Sequence, residues 1–127
     1  MSETSKTGIL IVEDDLDIRI LLAEVFRIDN FQVYQAQDGQ EAVRIFQENQ
    51  DKIAIMVTDL GLPNLGGVEL ISAVRAMKPS LKIIGSSGYG RANVREEVLQ
   101  AGGDHFIAKP YIVSDLIQTV KKLLDST

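Results

Sequence analysis

Ile9-Leu10-Ile11-Val12-Glu13-Asp14-Asp15 runs from four apolar residues straight into three carboxylates. An unbroken apolar run this short describes a strand covered on both faces, as in a parallel sheet. Four further runs of the same kind, at 31–36, 53–58, 81–86 and 105–108, alternate with stretches of helical spacing. Ile18, Leu21, Leu22 and Val25 recur as one buried helix face, with Asp15 or Asp17 placed to cap it. Helices are likewise expected over 40–49, 68–77, 91–100 and 113–124. The last carries the stripe Leu116, Ile117, Val120, Leu123 and Leu124, with Ser114 as its cap. Turn residues separate these stretches: Asp38-Gly39, Pro63, Gly66-Gly67, Pro79, Gly102-Gly103 and Pro110. The order is β-α five times, and right-handed crossovers then require an α/β fold, a doubly wound five-stranded parallel sheet with helices on both faces. Ligands of such sheets bind beyond the carboxyl ends of the strands.

The 127 residues suit one domain, 1–127 with a core of about 8–124, and their 45% hydrophobic and 24% charged content is that of a globular protein. The absence of cysteine removes disulfides and thiolate chemistry. The start is polar, and the longest apolar run falls far short of the ~20 residues that span a bilayer, so a cytoplasmic protein without membrane contact is expected. Thirteen basic against eighteen acidic residues give a net charge of −5, which argues against direct binding to nucleic acid.

Chemistry is concentrated where strands end. Glu13-Asp14-Asp15 follows the first strand, Asp59 the third, Ser86-Ser87 ends the fourth and Lys109 follows the fifth. Singly, each is an ordinary turn or cap residue. Together they place three carboxylates, hydroxyls and an ammonium at one sheet edge, and clustered carboxylates repel one another unless a cation compensates. Mg²⁺ suits such oxygen donors, with Mn²⁺ as a substitute. Asp14 and Asp59 are the expected ligands, with Glu13 acting through water and the Gly61 backbone carbonyl as a further oxygen. His105 has no second histidine or cysteine to complete a metal site and is expected to be structural. Gly88-Tyr89-Gly90 resembles the start of a dinucleotide fingerprint, but Asn93 stands where its third glycine belongs.

The blocks at 9–15, 57–67 (Val-Thr-Asp-Leu-Gly-Leu-Pro-Asn-Leu-Gly-Gly), 83–88 (Ile-Ile-Gly-Ser-Ser-Gly) and 106–110 (Phe-Ile-Ala-Lys-Pro) resemble those of response regulator receiver domains in two-component signalling. The resemblance covers about residues 8–124 and implies the flavodoxin-like strand order 2-1-3-4-5, for which a chemotaxis receiver is a standing example. It implies that Asp59 is a phosphoacceptor served by Mg²⁺, that Asp14 binds the metal with Glu13 as its neighbour, and that Lys109 pairs with Asp59 at rest and with a phosphoryl oxygen afterwards. It further implies a cis bond before Pro110, a switch residue in Ser87 and an aromatic, Phe106, that turns inward behind it. The implied partners are a sensor histidine kinase or phosphotransfer protein and a downstream output protein or domain, with a homodimer formed on phosphorylation. The output face is expected over residues 88–99 and 106–120. Such a domain stands alone or belongs to a larger regulator or hybrid kinase, and it is not an enzyme beyond its own phosphorylation and dephosphorylation. Ser87 departs from the commoner Thr, Phe106 from Tyr, Gly66 from Asp and Gly85 from a packing side chain, while Gly61 and Tyr89 occupy the variable positions that gate water. Two rival readings are an interaction module without phosphorylation and an aspartyl-phosphate phosphatase. The second wants another Asp two residues after Asp59, where Gly61 stands.

Overall fold

The computed structural model describes residues 6–88 and 93–126. Five parallel strands, β1 (Gly8–Val12), β2 (Gln32–Ala36), β3 (Ile53–Asp59), β4 (Lys82–Ser87) and β5 (His105–Ala108), stand in the order β2-β1-β3-β4-β5. Five helices alternate with them: α1 (Leu16–Ile28), α2 (Gly39–Glu48), α3 (Gly67–Met77), α4 (Val94–Ala101) and α5 (Val113–Asp125). The expected doubly wound sheet and its strand order are thus observed.

Strand alternation sorts the core into two layers. Leu10, Val12, Met56 and Ile83 face α2, α3 and α4, joining Phe46, Leu70, Val74 and Val98. Ile9, Ile11, Ile55, Val57 and Ile84 face α1 and α5, joining Leu22, Phe26, Leu116 and Val120. His105 opens β5, half-buried, as expected of a structural residue.

Three local expectations are corrected. Leu21, assigned to the buried face of α1, is 52% exposed, because that face centres on Leu22, Ala23 and Phe26 and a one-residue step turns a side chain ~100° away. Ser114 does not cap α5. Ile112 occupies the cap position without a side-chain bond, and its carbonyl accepts the N–H groups of Asp115 and Leu116. The helix expected from 91 starts at Val94, since Asn93 is left-handed at φ 73° and breaks helical geometry; residues 91 and 92 lie outside the described residues. Of the two cap candidates for α1, Asp15 is the one used, accepting the Ile18 N–H at 3.1 Å.

At the amino ends of the strands Arg75 closes the structure. Its guanidinium donates to the carbonyls of Gly102 (2.9 Å), Pro79 (2.7 Å) and Leu81 (2.6 Å), and it pairs with Asp104 at 2.9 Å. Asp104 in turn accepts the Ile83 N–H at 2.8 Å, so one side chain ties α3, the start of β4 and the end of α4. At the carboxyl ends two glycines permit close packing. A Cβ on Gly85 would lie 2.9 Å from Val98, whose side chain takes the place of the strand's missing one. A Cβ on Gly67 would lie 2.6 Å from both the Asp59 carbonyl oxygen and the Leu60 Cα.

The Gly67 contact is backbone against side chain, so relief requires the start of α3 to move off the end of β3. Gly67→Ala should therefore lose about 1–3 kcal/mol of stability in urea unfolding. An unchanged midpoint would show that the α3 start yields freely.

Candidate functional site

The sheet register decides which side chains meet. Val12 pairs with Thr58 across β1 and β3, and Asp59 with Ser86 across β3 and β4. The residues that follow therefore emerge side by side. Asp59 is the last residue of β3 and Ser87 the last of β4, each one residue later than the apolar runs indicated. The Lys109 N–H donates to the Ser87 carbonyl at 2.8 Å, which ties the lysine-bearing loop to the end of β4. The Lys109–Pro110 peptide bond is cis.

Glu13, Asp14 and Asp59 each bring a carboxylate oxygen within 4.8 Å of the others. Lys109 stands beside them, with its ammonium 2.9 Å from Glu13 Oε1 and 3.3 Å from Asp59 Oδ1. The expected Lys109–Asp59 pair is present, but the shorter contact is to Glu13, a partner that strand ends alone did not reveal. Glu13 is buried at 4% exposure, and its second oxygen accepts the Asp15 N–H at 3.2 Å. Asp14 is exposed, and its side chain has no hydrogen bond or ion pair among the described residues. A Cβ on Gly61 would sit 3.8 Å from Asp59 Oδ2, so this position borders the open side of the carboxylate. Tyr89 lies outside the described residues, as does part of the Gly88-Tyr89-Gly90 stretch.

Burial lifts Glu13 above the ordinary carboxylate range, against the opposing pull of Lys109 and the Asp15 N–H. Burial would lower the Lys109 ammonium, but the Glu13 hydrogen bond and the Asp59 charge outweigh it, and its pKa rises. The lysine is therefore charged at neutral pH. A carboxylate cluster with a neighbouring ammonium can bind a hard cation and hold an added anionic group against Lys109.

Further residues frame the site. Phe106, expected to turn inward on switching, is already buried at 8% exposure, with the Arg95 guanidinium 5.6 Å above its ring. Sequence reasoning passed over Tyr111 and Arg19, and it placed Ser86 at the sheet edge without giving it a role of its own. Tyr111 lines an apolar pocket of about 320 Å³ with Ile18, Gly88, Lys109 and Pro110. Ser86 buries a hydroxyl without a partner on the residue paired with Asp59. Arg19, in α1, donates to the Glu13 carbonyl at 2.8 Å. Only Arg19 left a signal, as a cation near a helix N-terminus, where the dipole disfavours one.

The Glu13–Lys109 contact predicts a titration effect. Without the ammonium, burial acts on Glu13 unopposed by it, so Lys109→Met should raise the Glu13 pKa further, read from its carboxyl ¹³C shift against pH. Conversely, Lys109 gains stability from its raised pKa at every pH below the unfolded lysine's value, and that contribution disappears as pH climbs through the folded value. Glu13 titrating at the same pH in wild type and variant would show that the lysine does not govern it.

Comparison with known proteins agrees with this architecture. The family model for the response regulator receiver domain matches residues 9–121. The transcriptional regulatory protein PrrA of Mycobacterium tuberculosis is 34% identical over 91% of the chain, and the chain spans about half (49%) of that relative's length. The sporulation initiation phosphotransferase F of Bacillus subtilis is 30% identical over 91% of the chain and 92% of its own length. Among solved structures, a chain of the CheX–CheY–BeF3–Mg²⁺ complex from Borrelia burgdorferi superposes with a TM-score of 0.86 at 25% identity, covering 93% of this chain and 89% of that one. With its sheet order, its acidic edge and a family match over most of its length, the chain belongs to the response regulator receiver domains.

Proposed function

We propose that Asp59 accepts a phosphoryl group in a Mg²⁺-dependent reaction and that the charge gained there alters the surface read by a downstream partner. The observation that carries this reading is the convergence of Glu13, Asp14 and Asp59 within 4.8 Å beside the Lys109 ammonium. The donor set fits the metal, since it is all oxygen and carboxylate-rich. Both Glu13 oxygens already accept protein hydrogen bonds, whereas Asp14 and Asp59 keep lone pairs to offer. Asp14 and Asp59 would thus hold the ion directly, with Glu13 acting through water and the Gly61 carbonyl as a further oxygen. Bound there, Mg²⁺, or Mn²⁺ in its place, supplies positive charge against the cluster and against the transferring phosphoryl oxygens.

The chain's own part is positional. An Asp59 oxygen attacks phosphorus in line, and the bond from phosphorus to the donor breaks, its electron pair leaving on an imidazole nitrogen when the donor is a phosphohistidine. Lys109 is already near Asp59 Oδ1 and needs little travel to reach a phosphoryl oxygen. Glu13 keeps the ammonium from swinging away meanwhile. The donor, a histidine kinase or phosphotransfer protein, would meet a rim of exposed apolar side chains at Leu16, Ile20 and Leu21 of α1 and Ile112 before α5. The aspartyl-phosphate phosphatase is not supported, since Gly61 offers no carboxylate for general acid work.

Output follows from the same geometry. Ser87 ends the strand next to Asp59, so drawing its hydroxyl toward a phosphoryl group displaces the chain beyond it toward α4, where Arg95 covers Phe106. The face of α4, β5 and α5 would then present a changed surface to an output protein, an attached domain or a second copy of the chain.

Acetyl phosphate or phosphoramidate with Mg²⁺ should add one phosphoryl group by mass spectrometry, and Asp59→Asn should abolish it. Asp14→Ala should also erase the rise in melting temperature that Mg²⁺ gives the wild type by binding the native state. Persistent labelling of the Asp59 variant, or a magnesium response intact without Asp14, would contradict these assignments. Amide NMR with beryllofluoride should move resonances at Phe106 and along α4. Changes restricted to the loop after Asp59 would remove the proposed output face.

A further inference from the structure

Asp14 presents a puzzle of support. Of the three converging carboxylates it alone has no protein partner among the described residues, since Glu13 is held by Lys109 and the Asp15 N–H, and Asp59 by Lys109. A solvent-exposed aspartate with no hydrogen bond takes its direction from the backbone that carries it. That backbone is the peptide plane between residues 13 and 14. The plane is rigid, so fixing the Glu13 carbonyl oxygen also fixes the Asp14 N–H on its opposite edge and the position of the Asp14 Cα. The direction of Cα–Cβ then follows once the next peptide, held through the Asp15 N–H, sets the rotation about N–Cα.

The carbonyl is fixed by Arg19. Its guanidinium reaches back over the first turn of α1 and donates to Glu13 O at 2.8 Å. Asp15, on the far side of Asp14, is held separately as the helix cap, by its side chain to the Ile18 N–H and by its own N–H to Glu13 Oε2. The two peptide units flanking Asp14 are therefore anchored from both sides, and Arg19 is the anchor on the strand side. A cation so near a helix N-terminus gains nothing from the dipole, so the bond to the carbonyl must compensate.

We propose that Arg19 is a positioning residue for the metal step. By holding the 13–14 peptide plane, it keeps the Asp14 carboxylate aimed at the position that Asp59 shares. This rests on the reading of the acidic cluster as a Mg²⁺ site.

Electrostatics and positioning make opposite forecasts for this residue. Removing a positive charge from the Glu13 carbonyl, at the edge of the acidic cluster, should by charge alone tighten Mg²⁺ binding. Removing an anchor should weaken it, as loss of outer supports does at other metal centres. Arg19→Met keeps the apolar stem and deletes the donor, and Arg19→Lys keeps one donor and the charge. Mg²⁺ is titrated into each metal-free protein and followed by amide NMR, with thermal unfolding in EDTA as the control for folding. Arg19→Met is expected to raise the half-saturating Mg²⁺ concentration roughly tenfold, and to shift the Asp14 and Asp15 amides before metal is added. Arg19→Lys should recover part of the loss. Phosphorylation of Arg19→Met should be slow at low Mg²⁺ and restored by high Mg²⁺. Unchanged or tighter Mg²⁺ binding in Arg19→Met overturns the proposal while leaving the metal site intact. A wild type that binds no Mg²⁺ overturns the metal reading itself.

Discussion

Three carboxylates held within reach of one another at the edge of a folded domain are an electrostatic cost that the surrounding structure must carry. Water and an added cation can each reduce it, but one of the three, Glu13, is withdrawn from solvent, and burial makes its charge still less welcome. Lys109 is the protein's own compensation. Its position is fixed by a backbone bond to the end of β4 and by ion pairs to Glu13, just after β1, and Asp59, which ends β3, so four strand ends act as one unit. The cluster is thus poised to take on positive charge, and a bound anion competes for the one lysine that already serves two carboxylates.

The scaffold meets this cost by being rigid where the site is attached. The end of β3 is wedged against α3 at Gly67, with no room for a side chain, and Val98 of α4 presses into the gap at Gly85. Both contacts lie directly behind Asp59 and its neighbouring strand. A carboxylate mounted on such a support has the backbone that carries it held in place, which favours the fixed geometry an in-line displacement requires.

Legibility in the sequence follows the range of the interaction. Strands, their order of appearance and the acidic edge could be read because apolar runs and turn residues are local patterns, and the family resemblance supplied the strand order. Asp15 capping α1 was within reach for the same reason, being decided over three residues. Leu21 was misplaced because an apolar residue in α1 carries no mark of whether sheet or solvent faces it. The late start of α4 turned on Asn93 adopting a left-handed conformation, which asparagine tolerates more readily than most residues but which its identity alone does not dictate. The Glu13–Lys109 bond joins residues 96 apart, and no local pattern announces it. Arg19 is the intermediate case. Its oddness near a helix start is visible in the sequence, its target only in three dimensions.

The Arg75 clamp has a mechanical corollary. It holds α4 by the Gly102 carbonyl at the helix's C-terminal end, where the N–H groups of Gly102 and Gly103 also bond back to Leu99 and Val98. The opposite end begins at Asn93 without a side-chain cap. A rod clamped by hydrogen bonds and an ion pair at one end and held by side-chain packing along the rest responds to a sideways push by pivoting about the clamp. For a helix of eight residues, about 12 Å long, a swing of roughly 10° carries the Asn93 end about 2 Å while the clamped end stays in place. The clamp that looks purely structural therefore sets the fulcrum, and displacement would grow along α4 from Gly102 toward Arg95 and the Phe106 ring beneath it.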